Sequence, residues 1–143
     1  MKIALITGSN GLVGSEASEF FIKKKFRVIG IDNDLRKHFF GKEASTIRIK
    51  KYLIENHRKN YLHFNDDITK LDKIEKIFRK YKNKIKLIIH SAAQPSHDWA
   101  ASNPELDFRV NAVATLNLLK LTRKYLPKKT PFIYMSTNKV YGD

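Results

Sequence analysis

Cysteine is absent from this 143-residue sequence. Its absence excludes disulfides, thiolate metal sites and a cysteine nucleophile. Also absent is any apolar run approaching the roughly 20 residues that cross a bilayer. The amino terminus reads as a strand, without the apolar stretch and small-residue cleavage site of a signal peptide. A cytoplasmic protein with no membrane partner is therefore expected. The five histidines lack metal-ligand spacing and carboxylate company, so no metal is expected. Acidic residues are scarce: 14 Asp and Glu face 28 Lys and Arg, a net charge of +14. Such an excess raises the question of a polyanionic partner. The basic residues, however, are spread over 23–25, 48–51, 79–86 and 120–129, mostly as lysine at helix ends and on polar helix faces. They read as a solvated surface, and no nucleic-acid partner is expected. What the chain does have is 42% apolar and 11% aromatic residues. That is the composition of a globular protein, in a length that fits one domain.

Strand and helix signals alternate along the chain. Residues 2–7 read as a first strand, and 12–24 as a helix with Val13, Ala17, Phe20 and Phe21 apolar. Residues 26–31 read as a second strand ending in Asp32-Asn33-Asp34. Residues 35–46 read as irregular, and a basic helix follows over about 47–58. A short third strand spans 61–64. Thr69 with Asp72 has capping-box spacing, ahead of a helix whose Leu71, Ile74, Ile77, Phe78 and Tyr81 share one face. Residues 85–90 read as a fourth strand. Asn103-Pro104 supplies a cap and a first helical residue for a helix running to about residue 125. Its stripe is Leu106, Val110, Ala114, Leu118 and Leu121, and Pro127 and Pro131 break it. Residues 132–135 read as a fifth strand. Apolar strands alternating with helices imply a parallel sheet covered on both faces, and right-handed crossovers leave few topologies. The expected fold is α/β, a Rossmann-type doubly wound parallel sheet with strand order 3-2-1-4-5.

The turn after the first strand is Gly8-Ser9-Asn10-Gly11-Leu12-Val13-Gly14. In a fold of this type that turn carries a pyrophosphate across the amino end of a helix. Glycines there allow the tight turn, the close backbone approach and the helix–strand packing. The helix end supplies free N–H groups and a positive dipole end. The acid expected after the second strand is Asp32, with Asn33 beside it. Its carboxylate can accept both ribose hydroxyls of an adenosine and would repel a 2′-phosphate. NAD is thus favoured over NADP.

This Gly-x-x-Gly-x-x-Gly spacing resembles that of the extended short-chain dehydrogenases/reductases, the NAD-dependent epimerase/dehydratase family. The resemblance continues along the chain. Asp67-Ile68 is similar to the pair that meets the adenine ring. His90-Ser91-Ala92-Ala93-Gln94 resembles the segment that lies along the cofactor. Asn111 with Ala114-Thr115-Leu116-Asn117-Leu118-Leu119 resembles the family's Asn-x-x-Gly-Thr-x-Asn-Leu-Leu helix, with alanine for glycine. Ser136-Thr137-x-x-Val140-Tyr141-Gly142 resembles the active-site strand. Within the family, residues 32–46, 94–99 and 136–143 are most similar to nucleotide-sugar enzymes of the CDP-paratose 2-epimerase kind.

The resemblance implies a tightly held NAD, a CDP-sugar substrate, and transient oxidation of ring carbon C2 with return of the hydride to its other face. Thr137 is the implied catalytic residue, bonding the reacting hydroxyl. Related 4,6-dehydratases place Asp-Glu directly after this threonine, because elimination of water needs a proton donor and a base. Here those positions are Asn138-Lys139. An amide cannot supply the acid, so epimerisation without elimination is expected.

The family's proton acceptor, a Tyr-x-x-x-Lys pair, lies a few tens of residues beyond such a threonine. Tyr125 and Lys129 have the spacing, but they precede the fifth strand and flank Pro127, and the match is read as accidental. Residues 1–143 are therefore expected to be an NAD(P)-binding Rossmann domain truncated after its fifth strand, with the last strands and the substrate domain absent. Such a chain would be the amino-terminal portion of a longer enzyme or a truncated reading frame, with a partner chain supplying the remainder the lesser alternative; it would be inactive alone, and its full-length form could be a homo-oligomer. Its fifth strand would be an unprotected edge beside uncovered apolar helix surface. Two alternatives stay open: a non-catalytic NAD-binding module or pseudoenzyme fragment, and another nucleotide-sugar 4-epimerase. Outside these motifs, His90 reads as a packed, hydrogen-bonded histidine. His97 and Asp98 read as loop contacts to substrate or cofactor or, equally, as purely structural residues, and Trp99 as a wall of the sugar pocket or part of the core. Arg36, Lys42 and Arg48 read as diphosphate contacts or solvated surface.

Overall fold

The computed structural model describes residues 1–136. Strands form at the apolar, β-branched runs: β1 (Ile3–Thr7), β2 (Arg27–Ile31), β3 (Tyr61–Phe64), β4 (Ile85–His90) and β5 (Phe132–Tyr134). All pair in parallel, in the order β3-β2-β1-β4-β5. This is the expected sheet. Its helices are α1 (Leu12–Lys23), α2 (Arg36–Phe40), α3 (Ile47–Asn56), α4 (Leu71–Tyr81), α5 (His97–Ser102), α6 (Pro104–Phe108) and α7 (Ala114–Tyr125).

Successive strand residues point to opposite faces, so a sheet covered on both sides needs continuous apolar runs. On one face Leu5, Ile29 and Ile88 pack with Ile74 and Phe78 of α4 and Leu118 and Leu121 of α7. On the other, Ala4, Ile6, Val28 and Ile89 pack with Ile22 of α1 and Leu53 of α3. β1 is buried along its whole length, and its carboxyl end is thereby fixed between those of β2 and β4. Among the described residues β5 lies at the edge of the sheet, and Ile133 and Tyr134 on it and Leu116 and Leu119 on α7 are exposed.

Four local expectations are corrected. Residues 35–46 are not irregular, since they contain α2 and a 3-10 turn at Lys42–Ala44. Residues 97–102 are helix rather than loop, because the Ser96 hydroxyl accepts the Trp99 N–H at 3.3 Å and caps α5. The capping box before α4 does not form. Thr69 instead donates its N–H and its hydroxyl to Asp67 Oδ1, each at 2.8 Å, in an Asx turn, and α4 starts after Lys70 without a side-chain cap. Finally, the long helix to residue 125 is interrupted by a π-turn at Arg109–Val113. Such turns insert an extra residue and re-aim the side chains they carry.

Candidate cofactor-binding site

The turn between β1 and α1 is shaped by what its glycines exclude. Gly8 sits at φ +67°, and a Cβ there would lie 2.7 Å from the Ala92 nitrogen. A Cβ on Gly14 would overlap the Gly8 carbonyl oxygen. The first turn of α1 thus lies directly against the strand end. Gly11 caps α1 without any side-chain bond, and no acidic residue occupies its first turn. The helix presents open N–H groups to a cavity of about 320 Å³, the arrangement that attracts phosphate.

Asp32, just past the carboxyl end of β2, lines this cavity. Its Oδ2 accepts the Asn10 N–H at 3.0 Å and its Oδ1 the Asp34 N–H at 2.8 Å. Burial pushes the carboxyl above its ordinary pKa, and those two N–H groups partly offset the push. Each oxygen keeps a lone pair for a further donor. Asn33, Asp67, Ile68, Ala92 and Ala93 line the same cavity. Leu12 and Val13 complete the lining at the helix end, so eleven of the fourteen sequence-predicted cofactor residues meet around one cleft.

The remaining three support the cleft from behind. Asn10 is buried and offers its N–H to Asp32. Asn111, on the π-turn, pairs with both peptide groups of Gln94: its Oδ1 accepts the Gln94 N–H at 2.9 Å, and its Nδ2 donates to the Gln94 carbonyl at 3.2 Å. Gln94 Nε2 and Asn111 Nδ2 both donate to Asp107 Oδ1, at 3.0 and 2.9 Å. These amides fix the segment after β4. Thr137, the expected catalytic residue, and Asn138 and Lys139 lie outside the described residues.

His90 is packed and hydrogen-bonded, as its sequence position suggested. Its neighbours dictate the direction of every bond. The Thr115 hydroxyl donates to the Asn111 carbonyl at 2.7 Å, so it accepts from His90 Nε2 at 2.8 Å. His90 Nδ1 then accepts from the Thr7 hydroxyl at 2.6 Å. Thr7 Oγ1 accepts in turn from the Ala92 N–H at 3.3 Å. Burial lowers the His90 pKa to about 4, which keeps the ring neutral and this polarity intact.

Sequence reasoning missed a second set of supports beneath the glycine turn. Tyr61 donates its hydroxyl to Ser9 Oγ at 2.9 Å, and burial raises the phenol pKa to about 12. A Cβ on Gly30 would strike both the Tyr61 hydroxyl and Ser9. The available signal was Gly30 itself, a glycine inside a β-branched strand, which marks a close approach.

Among known proteins, a family model described as GDP-mannose 4,6 dehydratase matches residues 5–143. The chain is 33% identical to the CDP-paratose 2-epimerase of Salmonella typhi, over all of this chain and 38% of that protein. It is 30% identical to the UDP-glucuronate 4-epimerase of Thermodesulfobacterium geofontis, over 99% of this chain and 41% of that protein. The Thermus thermophilus UDP-glucose 4-epimerase, solved in complex with NAD, superposes with a TM-score of 0.65 at 28% identity, over 86% of this chain and 34% of the other. The chain spans about two fifths of the length of the curated relatives it matches. These relatives are nucleotide-sugar epimerases and dehydratases. Epimerases of different sugars lie about equally near, so the relatives do not single out a CDP-sugar.

Proposed function

The chain belongs to the GDP-mannose 4,6 dehydratase family, and from that premise we propose that it holds NAD for a nucleotide-sugar epimerase. The observation that carries the reading is the glycine turn pressed against the open end of α1, with Asp32 lining the same cleft. Backbone N–H groups of α1 would meet the pyrophosphate charge. The Asp32 carboxylate would receive the ribose hydroxyls, and its negative charge would disfavour a 2′-phosphate. The Asn33 and Asp67-Ile68 walls would flank the adenine, and the small Ala92 and Ala93 would leave room along the dinucleotide. When bound, NAD supplies reversible hydride acceptance. Thr137 would hold the reacting sugar hydroxyl, and Asn138 beside it offers no acid for dehydration.

The substrate reading is a CDP-sugar epimerised at C2, supported by the sequence blocks at 94–99 and 136–143. The competing reading is a 4-epimerase, favoured by the similarity to the UDP-glucuronate enzyme.

Calorimetric titration tests the cofactor. NAD should bind more tightly than NADP, and Asp32→Ala should weaken NAD by roughly tenfold, the loss of one charged hydrogen-bonding partner. Equal affinity for both cofactors would sink the ribose argument. For the sugar, a full-length form carrying the Tyr-x-x-x-Lys pair, incubated with NAD and CDP-paratose, should yield the C2 epimer by NMR without net NADH, whereas residues 1–143 alone should not. Conversion of UDP-glucuronate instead would establish the 4-epimerase.

A further inference from the structure

The segments that follow β2 and β4, the strands on either side of β1, touch each other. The first follows β2. Asp34 takes the left-handed conformation at φ +56°, and its carboxylate accepts the Ser45 hydroxyl at 2.6 Å, the Thr46 N–H at 2.7 Å and the Thr46 hydroxyl at 3.1 Å. These bonds tie the two ends of residues 34–46 together, and between them the chain runs through α2 and turns at Gly41. Leu35, Arg36 and Thr46 from this strap line the cleft.

The second segment follows β4, where Gln94 and Asn111 set its course and Pro95 lines the cleft. Its α5 brings Trp99 against the strap. Trp99 stands 4.9 Å from the His38 ring and 5.2 Å from the Phe39 ring, centroid to centroid. In the sheet β2 and β4 lie on either side of β1. A contact between segments leaving their carboxyl ends must therefore pass over the carboxyl end of β1, where the glycine turn sits. Trp99 belongs to neither hydrophobic core and is only half-buried. The contact ties together two short helices over the cleft and is separate from the sheet's own packing.

We propose that Trp99, packed against His38 and Phe39, is a clasp over the dinucleotide that must open for the cofactor to enter or leave. The inference rests on the reading of the cleft as an NAD site. A floor of glycine turn, two side walls and an aromatic bridge enclose an elongated ligand at its middle. Two ring contacts are weak enough to part as loops move, and strong enough to slow exchange by about tenfold. Retention suits a reaction that returns the hydride it takes: the cofactor finishes each turnover unchanged, and its release serves no step.

The test reads cofactor release by stopped flow, with bound NADH displaced by excess NAD. Trp99 is the single tryptophan of the chain, so its emission also reports the bridge directly. Trp99→Ala and Phe39→Ala should each speed release by about tenfold, and Trp99→Phe should restore most of the retention. The double variant should release no faster than Trp99→Ala alone, since a bridge is lost once. Circular dichroism checks that each variant is folded, and two substitutions on separate segments guard against one failing. Release unchanged by both substitutions, or fully additive effects, would overturn the clasp while the cofactor reading stands. A parent protein that binds no NADH would overturn both.

Discussion

On the β2–β3 side of the cleft, carboxylates gather backbone N–H groups. Asp32 takes those of Asn10 and Asp34, Asp34 that of Thr46, and Asp67 that of Thr69. On the β4 side the same kind of support comes mainly from neutral groups: the Asn111 amide on the Gln94 peptide, and the Thr7–His90–Thr115 chain. Asp107 is the carboxylate among them. The difference follows from what each side would face. The carboxylate side would meet hydroxyls and a base, which tolerate or need a negative charge. The neutral side would lie beside a redox ring, where a buried charge would cost energy without a partner.

The largest test removes the floor that both sides share. Gly14→Val drives a side chain into the Gly8 carbonyl and should weaken NAD by roughly a hundredfold or more, because α1 can no longer reach the phosphates. Titration that finds parental affinity would mean the cleft does not depend on its turn.

Acid should separate the segment after β4 from residues 34–46. Folded His90 has its pKa lowered from 6.5 to about 4, so the unfolded chain takes the proton first. Its contribution to stability is complete above pH 6.5 and is lost as pH falls towards about 4. For this fully buried ring the loss is about 3 kcal/mol. His63 of β3, lowered to about 4 by burial and then by Lys50, adds to the global loss in the same window without touching the bonds that close 34–46. Asp34 behaves oppositely. Burial alone would raise its pKa, but the Ser45 and Thr46 donors outweigh burial and hold it below its ordinary 3.8. Its contribution is present above pH 3.8 and disappears only as pH falls through that lowered value. Urea unfolding at neutral pH and midway through the histidine window should show the drop. Amide exchange should show residues 91–95 loosening before 34–46. Simultaneous loosening would erase the contrast.

The smallest effect compares one residue from each side. Asn111→Ala strips both peptide groups of Gln94 and should cost about 2 kcal/mol, whereas Asp34→Ala should cost about 1 kcal/mol. Denaturant melts that reverse this order would show that the charged side bears more of the fold.

What could be read from the sequence follows the range of the bonds. Asp32 to Asp34, Asn33 to Leu35 and Asp67 to Thr69 each span two residues; position after the second strand pointed to Asp32, and the family resemblance to Asp67. The strands were legible because both faces of the sheet are covered, which leaves β1 and β4 almost wholly apolar. The Thr7–His90 bond joins residues 83 apart, and Asn111 reaches Gln94 across 17. No periodicity encodes such partners. The π-turn has no compositional mark either: Arg109–Val113 continues a helical stripe, and only the demand of Asn111 on Gln94 accounts for the extra residue. Thr69 was misjudged for the converse reason, since a nearer acceptor, Asp67, outcompeted the helix cap.

The closure of residues 34–46 by one carboxylate has a consequence for how this family can vary. With both ends pinned at Asp34, the interior of the strap is mechanically insulated from the sheet, and doubling its length costs only about 0.6 kcal/mol in closure entropy. A segment of that kind behaves as a cassette. It can be lengthened or shortened around Gly41 while Leu35, Arg36 and Thr46 keep their places in the cleft and His38 and Phe39 theirs on Trp99, so long as an acid in the left-handed position and two hydroxyl-bearing residues at the far end travel with it.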